Sequence, residues 1–335
     1  MDLKGKRILL ACPMYPVSNG YIRLNWIETL KGLSIKHGFH FDVIDFLEYK
    51  RIWGKQQGTK LFVDRILNYN KPDILLGHIT SDHCEAKELM RLKESGIKTI
   101  NIFFEGAHCF DSCAKDIISC FDLWTDLYLP GMDRYAALGV KAVWLPVGIN
   151  SDFVKMIEIK DYKSRTIDVS FVGSCYYSDC VDIMRRICDD GFNVQVCGPR
   201  WEDLSSTHPK AVKTFSITSQ KEMYEIYANS KIVVNFSDVG GPDLRILRGR
   251  DFEATACGAV LVTGIFPAMT RCFDCNEVFM YKSQSDIPDL VKKILGDPVN
   301  SEIVAQRGRQ RTLMEHTWQN RFEYLLDYYF KEIAK

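Results

Sequence analysis

Short apolar runs alternate with segments of helical periodicity along this chain, and the alternation is gone through twice. In the first half the strand candidates are Arg7 to Cys12, Phe41 to Phe46, Ile74 to Gly77, Thr99 to Phe103 and Leu127 to Leu129. Between them, Tyr21 to His37 is a helix candidate, and Lys60 to Tyr69 and Ala86 to Ser95 carry apolar residues on one helical face and charge on the other. Strands separated by helices pair in parallel, which predicts an α/β doubly wound sheet covered on both sides. Pro13 to Gly20 is a turn-rich loop in which Ser18 or Asn19 caps the first helix.

The pattern restarts after Trp144-Leu145-Pro146-Val147-Gly148-Ile149-Asn150, past a charged linker that runs to Arg165. Strands are expected at Ile167 to Val172, Asn193 to Cys197, Lys231 to Phe236 and Ala259 to Val262. Helices are expected at Asp179 to Asp189, Lys221 to Asn229 and Asp251 to Cys257. A length of 335 residues exceeds one ordinary core, and 46% hydrophobic residues suffice for two. The expected domains are residues 1–152 and 153–315. Residues 316–335 form a terminal amphipathic helix with Phe322, Leu325, Leu326, Tyr329 and Ile333 on one side. With no strand after it, that helix packs on a surface already made, and the first domain is the candidate.

Lys+Arg and Asp+Glu both number 43, so no global basic field exists to hold nucleic acid or an anionic membrane. The apolar run from Ile8 to Cys12 is too short for a signal peptide core or a transmembrane span, which predicts a cytoplasmic protein with reduced thiols. Cys272 and Cys275 have the spacing of half a zinc site without its second half, so no metal ligand set is expected. A dehydrogenase is disfavoured, because no strand is followed by the three-glycine dinucleotide fingerprint.

Phosphate recognition must then be local, and Arg248 to Thr263 is where the residue types suit it. Arg248 and Arg250 precede a small-residue helix that carries Glu253 near its start, and a glycine stop at Gly258 and a buried strand follow. Arginine grips phosphate with a planar fork of donors, and a carboxylate accepts hydrogen bonds from a ribose diol. The same pattern also fits an ordinary helix start with a solvated basic face.

Several stretches, in order, resemble the CgeB-like (spore maturation protein-like) glycosyltransferases of the GT-B group. They are Phe121-Asp122-Leu123-Trp124-Thr125, Leu138-Gly139, Leu145-Pro146-Val147-Gly148-Ile149, Phe171-Val172-Gly173-Ser174 and Val196-Cys197-Gly198-Pro199-Arg200-Trp201. Lys231 to Asn235, Arg250-Asp251-Phe252-Glu253 with Ala256-Cys257-Gly258, and Glu315-His316-Thr317-Trp318 with Arg321 complete the set. The resemblance implies two Rossmann-like domains facing across a cleft, with the nucleotide-diphosphate sugar on the C-terminal one and an unknown acceptor on the N-terminal one. It implies metal-independent transfer with no cofactor. The related retaining enzymes carry a second glutamate eight positions before the first, where this chain has Arg245, so the stereochemical outcome stays open.

Glu253 is thus expected to accept hydrogen bonds from the donor ribose, with Arg250, Arg248 and, more weakly, Arg245 clamping the diphosphate. Gly173 and Ser174 allow close approach of a phosphate to the backbone, Gly198 leads to Trp201 as a base stack or pocket wall, and Asn235 ends a strand facing the same crevice. The catalytic base is sought among Glu105, His108 and Asp111, after a first-domain strand, with His78 on the acceptor side. Two other readings remain: a nucleotide-sugar epimerase or phosphorylase of similar fold, and a non-catalytic nucleotide-sugar-binding or surface-layer and spore-coat assembly protein.

Overall fold

The computed structural model describes residues 3–14, 20–69, 71–175, 178–214, 219–238 and 244–333. Ser18 and Asn19, the expected helix cap, lie outside the described residues. The chain divides into two compact units, Met1–Pro146 with Trp318–Lys335, and Val147–Thr317.

The first unit holds a six-stranded parallel sheet of β1 (Arg7–Ala11), β2 (His40–Ile44), β3 (Ile74–Gly77), β4 (Lys98–Ile102), β5 (Leu123–Asp126) and β6 (Ala142–Trp144), in spatial order β2-β1-β3-β4-β5-β6. Its core forms where Leu9, Leu75, Phe103 and Trp124 meet Phe62, Ile66 and Leu89 of the covering helices. The terminal helix Trp318–Glu332 belongs to this unit: the Trp318 ring packs 5.3 Å from Trp26, and Glu323 accepts from His37 Nε2 at 2.6 Å and Lys36 Nζ at 2.8 Å.

The second unit repeats the plan with β7 (Ile167–Val172), β8 (Val194–Cys197), β9 (Val212–Thr214), β10 (Ser230–Val234), β11 (Val260–Gly264) and β12 (Phe279–Tyr281) in order β12-β11-β10-β7-β8-β9, all parallel. Its core joins Val169, Phe171, Val196, Ile232 and Val260 to Met184, Ile187 and Val291.

Two expectations are corrected. The fifth strand is Leu123–Asp126, not Leu127 to Leu129: the Asp126 carboxylate accepts the Tyr128 N–H at 3.0 Å, and Pro130 starts a short helical turn, which together end the ladder. The helix expected at Lys60 begins at Phe46, with a break at Gly54, whose φ of 74° no β-branched residue would favour. That glycine and the charged Lys50 and Arg51 hid the first stretch from a periodicity reading.

Candidate functional site

In a doubly wound sheet, ligands bind beyond the carboxyl ends of the strands where the winding reverses. The chain winds from β7 outward to β8 and β9, then returns to the other side of β7 with β10, so the reversal lies between β7 and β10. Arg250, on the first turn of the helix Gly249–Ala256, spans these two ends. Its Nε and Nη2 donate to the Val172 carbonyl, and its Nη1 donates to Asn235 Oδ1 at 2.7 Å. The guanidinium also lies over the Phe171 ring, 4.0 Å from its centroid.

Behind it runs a buried polar network that sequence reasoning missed. Asn235 Nδ2 and Thr263 Oγ1 both donate to Asp251 Oδ1, at 2.5 and 3.0 Å, while Asp251 Oδ2 accepts the Arg248 backbone N–H at 2.8 Å and so caps the helix. Tyr281 donates to the Asn235 carbonyl at 2.9 Å and accepts the Ser237 N–H. Burial pushes the Asp251 carboxyl above its ordinary value, opposed by these donors and by Arg250. The signal for Asp251 was present in its position three residues after Arg248, at the N3 position of the helix. Thr263 and Tyr281 gave none, because only the sheet register brings them there.

Glu253 differs from every neighbour. It is 6% exposed, and among the described residues its carboxyl accepts no hydrogen bond. Burial, opposed by Arg250 and reinforced by Asp251, raises its pKa to about 7. The carboxyl folds back over Gly249, where a Cβ would stand 3.0 Å from Oε1. A buried acid with no internal donor is an acceptor held ready for one from outside.

The other expected site residues sort by what they touch. Gly173, at φ 151°, leaves room for the Arg250 guanidinium, and Gly198, at φ 129°, lets its backbone press against the Gly173 carbonyl. Both glycines therefore serve strand-end packing. Trp201 is corrected: it is fully buried, its Nε1 donates to the Gly173 carbonyl at 3.0 Å, and its ring meets Phe171 edge-on at 5.4 Å, so it has no face for a base. Asn235 is likewise wholly buried and satisfied by Arg250 and Asp251. Arg245 is corrected from phosphate clamp to clasp. Its three nitrogens donate to Asp238 at 2.8 Å, to the Ile265 carbonyl at 2.9 Å and to the Lys282 carbonyl at 2.7 Å. Arg248 is exposed at the helix start and Ser174 half-buried after β7.

In the first unit the winding reverses between β1 and β3, and His78 is the residue that follows β3. Its backbone N–H donates to the Ala11 carbonyl of β1 at 2.9 Å. Its ring Nδ1 lies 2.8 Å from the Ile102 carbonyl at the end of β4, which requires the proton on Nδ1 and leaves Nε2 as an acceptor. Trp26 meets the ring edge-on at 5.3 Å and Phe104 lies at 5.8 Å. Burial lowers the His78 pKa, offset by the carbonyl bond and by the charge of Glu105.

Glu105, His108 and Asp111 share one turn after β4, where the His108 and Cys109 N–H groups both donate to the Glu105 carbonyl. All three side chains are exposed; Asp111 pairs with Lys115 at 3.4 Å, and no hydrogen bond orients the His108 ring among the described residues. The turn itself is pinned from below: Arg134 donates to the Gly106 carbonyl and to buried Asp126 at 3.1 Å, and Tyr135 donates to Asp126 at 2.5 Å.

Residues 178–327 match the family described as glycosyl transferase-like. No curated protein matches the chain. Among solved structures, a glycosyltransferase from Rickettsia africae is 14% identical with a TM-score of 0.68, covering 99% of both chains. Anabaena HepE in complex with UDP is 10% identical with a TM-score of 0.63, over 96% of this chain and 98% of that one. A protein named as a putative UDP-N-acetylglucosamine 2-epimerase, from Listeria monocytogenes, is 10% identical with a TM-score of 0.60, over 98% of this chain and 97% of that one. The chain has the two-sheet α/β fold of the GT-B-like glycosyltransferases, and its second unit carries most of the glycosyl transferase-like family match.

Proposed function

We propose that this chain transfers a glycosyl group from a nucleoside-diphosphate sugar to an acceptor hydroxyl, in the cytoplasm and without a metal ion. Within the GT-B-like group, the residue pattern around Arg250 to Gly258 favours a CgeB-like transferase. The observation that carries the proposal is the Glu253 carboxyl, buried on the same helix as Arg250, with no hydrogen-bond donor among the described residues. A ribose diol supplies the two O–H donors that such a group lacks.

Arg250 holds the strand ends and adds positive charge beside the ribose. Arg248, exposed at the helix start, and Ser174, just after β7, bear on the diphosphate. As the acceptor oxygen bonds to the sugar anomeric carbon, the bond from that carbon to the diphosphate oxygen breaks and its electron pair leaves with the diphosphate. The acceptor proton goes to His78 Nε2, the ring nitrogen left open by the Ile102 bond. The bound UDP in the HepE structure makes UDP-sugars the first donors to try.

Incubation with UDP-glucose and UDP-N-acetylglucosamine, with and without acceptor and with EDTA throughout, tests this reading by the UDP released. Acceptor-dependent release in EDTA is expected. Activity that needs added magnesium or manganese contradicts the metal-free part. A changed sugar still attached to UDP identifies an epimerase instead.

A further inference from the structure

Beyond the carboxyl ends of β1 and β2 the first unit contains a cavity of about 540 Å³, within the range of small-molecule sites. Its wall is largely apolar, with Met14, Ile22, Ile27 and Leu47 in it, and Arg23 and Lys50 at its polar edge. Ile22 and Ile27 are buried, whereas Met14 is 44% exposed, so the apolar surface runs from the interior to the mouth.

Three cations, Arg23, Lys50 and Arg51, and two acids, Asp45 and Glu48, line the cavity. Arg23 makes no ion pair or hydrogen bond through its side chain among the described residues, and Lys50 spends one donor on the Asp82 carbonyl at 2.9 Å. Asp45 also lines the cavity, but its two oxygens accept the Met14 and Leu47 N–H groups, at 3.0 and 2.9 Å, and cap the following helix. Its charge is thus engaged by backbone donors. Glu48, which also lines the cavity, is exposed, and so is Arg51. An unpaired guanidinium beside an apolar wall is matched by a molecule that is apolar at one end and anionic at the other.

We propose that this cavity binds the acceptor, and that the acceptor is a small amphiphile with an apolar tail and an anionic, phosphate-like group on Arg23. The inference rests on the transferase reading for the word acceptor, but not for the binding itself. His78 follows the neighbouring strand β3 in the same unit, at the same end of the sheet.

Calorimetry on the full chain without nucleotide, with octyl phosphate, octyl glucoside and inorganic phosphate as probes, tests the site. Octyl phosphate should bind at least tenfold more tightly than either of the others. Arg23→Gln should remove that advantage over octyl glucoside, and Leu47→Ser should weaken both octyl probes. UDP affinity, measured on the same variants, should be unchanged. Octyl phosphate binding no better than octyl glucoside, or unaltered by Arg23→Gln, overturns the proposal. Failure of the wild-type protein to bind UDP, with octyl phosphate still bound, counts against the transferase reading and leaves the cavity assignment standing.

Discussion

Arg250 Nη1 donates to Asn235 Oδ1 across 2.7 Å, and through this bond the first turn of one helix holds together the ends of β7 and β10. The sheet reversal, where a ligand crevice belongs, is therefore closed by a cationic side chain. Arg250→Lys keeps the charge but cannot serve both the Val172 carbonyl and Asn235. The loss should be about 1–3 kcal/mol, the usual consequence of stranding a buried polar partner. Urea unfolding should show a lower midpoint at unchanged slope. A variant as stable as wild type would mean the staple is not formed.

Glu253 gives stability a pH dependence of definite sign. Its folded value, about 7, lies above the ordinary 4.5, so folding favours the protonated form. The contribution is fully present below the unfolded value and is lost as pH rises through about 7. Glu253→Gln should therefore become progressively more stable relative to wild type between about pH 5 and 8. A stability difference that stays flat over that interval is incompatible with a buried, unpartnered carboxyl.

His78 should set the acid limb of the rate profile. Burial lowers its pKa below 6.5, so the neutral ring survives at lower pH than an exposed histidine would. His78→Gln should cut kcat by a factor on the order of 10² to 10⁴, typical of a general base, with UDP binding retained. An equal loss from His108→Gln, with His78→Gln active, would move the base to the exposed turn.

Trp201→Phe separates packing from recognition. It removes the donor to the Gly173 carbonyl and leaves a void, so a cost of about 1–3 kcal/mol is expected with UDP affinity intact in the folded protein. Weakened UDP binding at full stability would restore the stacking role.

The fold was legible because parallel strands buried on both sides read as apolar runs, as Ile74–Gly77 and Val260–Gly264 do. Leu127 to Leu129 misled for the same reason: the run is apolar, and only the turn at Asp126 and Pro130 takes it out of the sheet. Residue type and position single out Arg250 and Glu253, and the structure puts the first across the ends of β7 and β10 and buries the second. What could not be read was how each polar group is spent. Arg245 and Trp201 look like ligand residues in one dimension, yet Asp238 with two carbonyls and the Gly173 carbonyl consume their donors. His78 and His108 are both histidines after a strand, and what tells them apart is the Ile102 carbonyl, brought alongside His78 by the pairing of β3 with β4, together with the Trp26 and Phe104 rings packed on it.

Titration of UDP into wild type and Glu253→Gln by calorimetry, at a pH above 7 where the carboxylate is ionised, measures the central claim. The substitution preserves size and removes the charge that draws the ribose hydroxyls, so binding should weaken by about 1.5–3 kcal/mol, a factor of roughly ten to a hundred and fifty. Equal affinities for the two proteins would contradict the account and leave Glu253 a buried acid without a ligand.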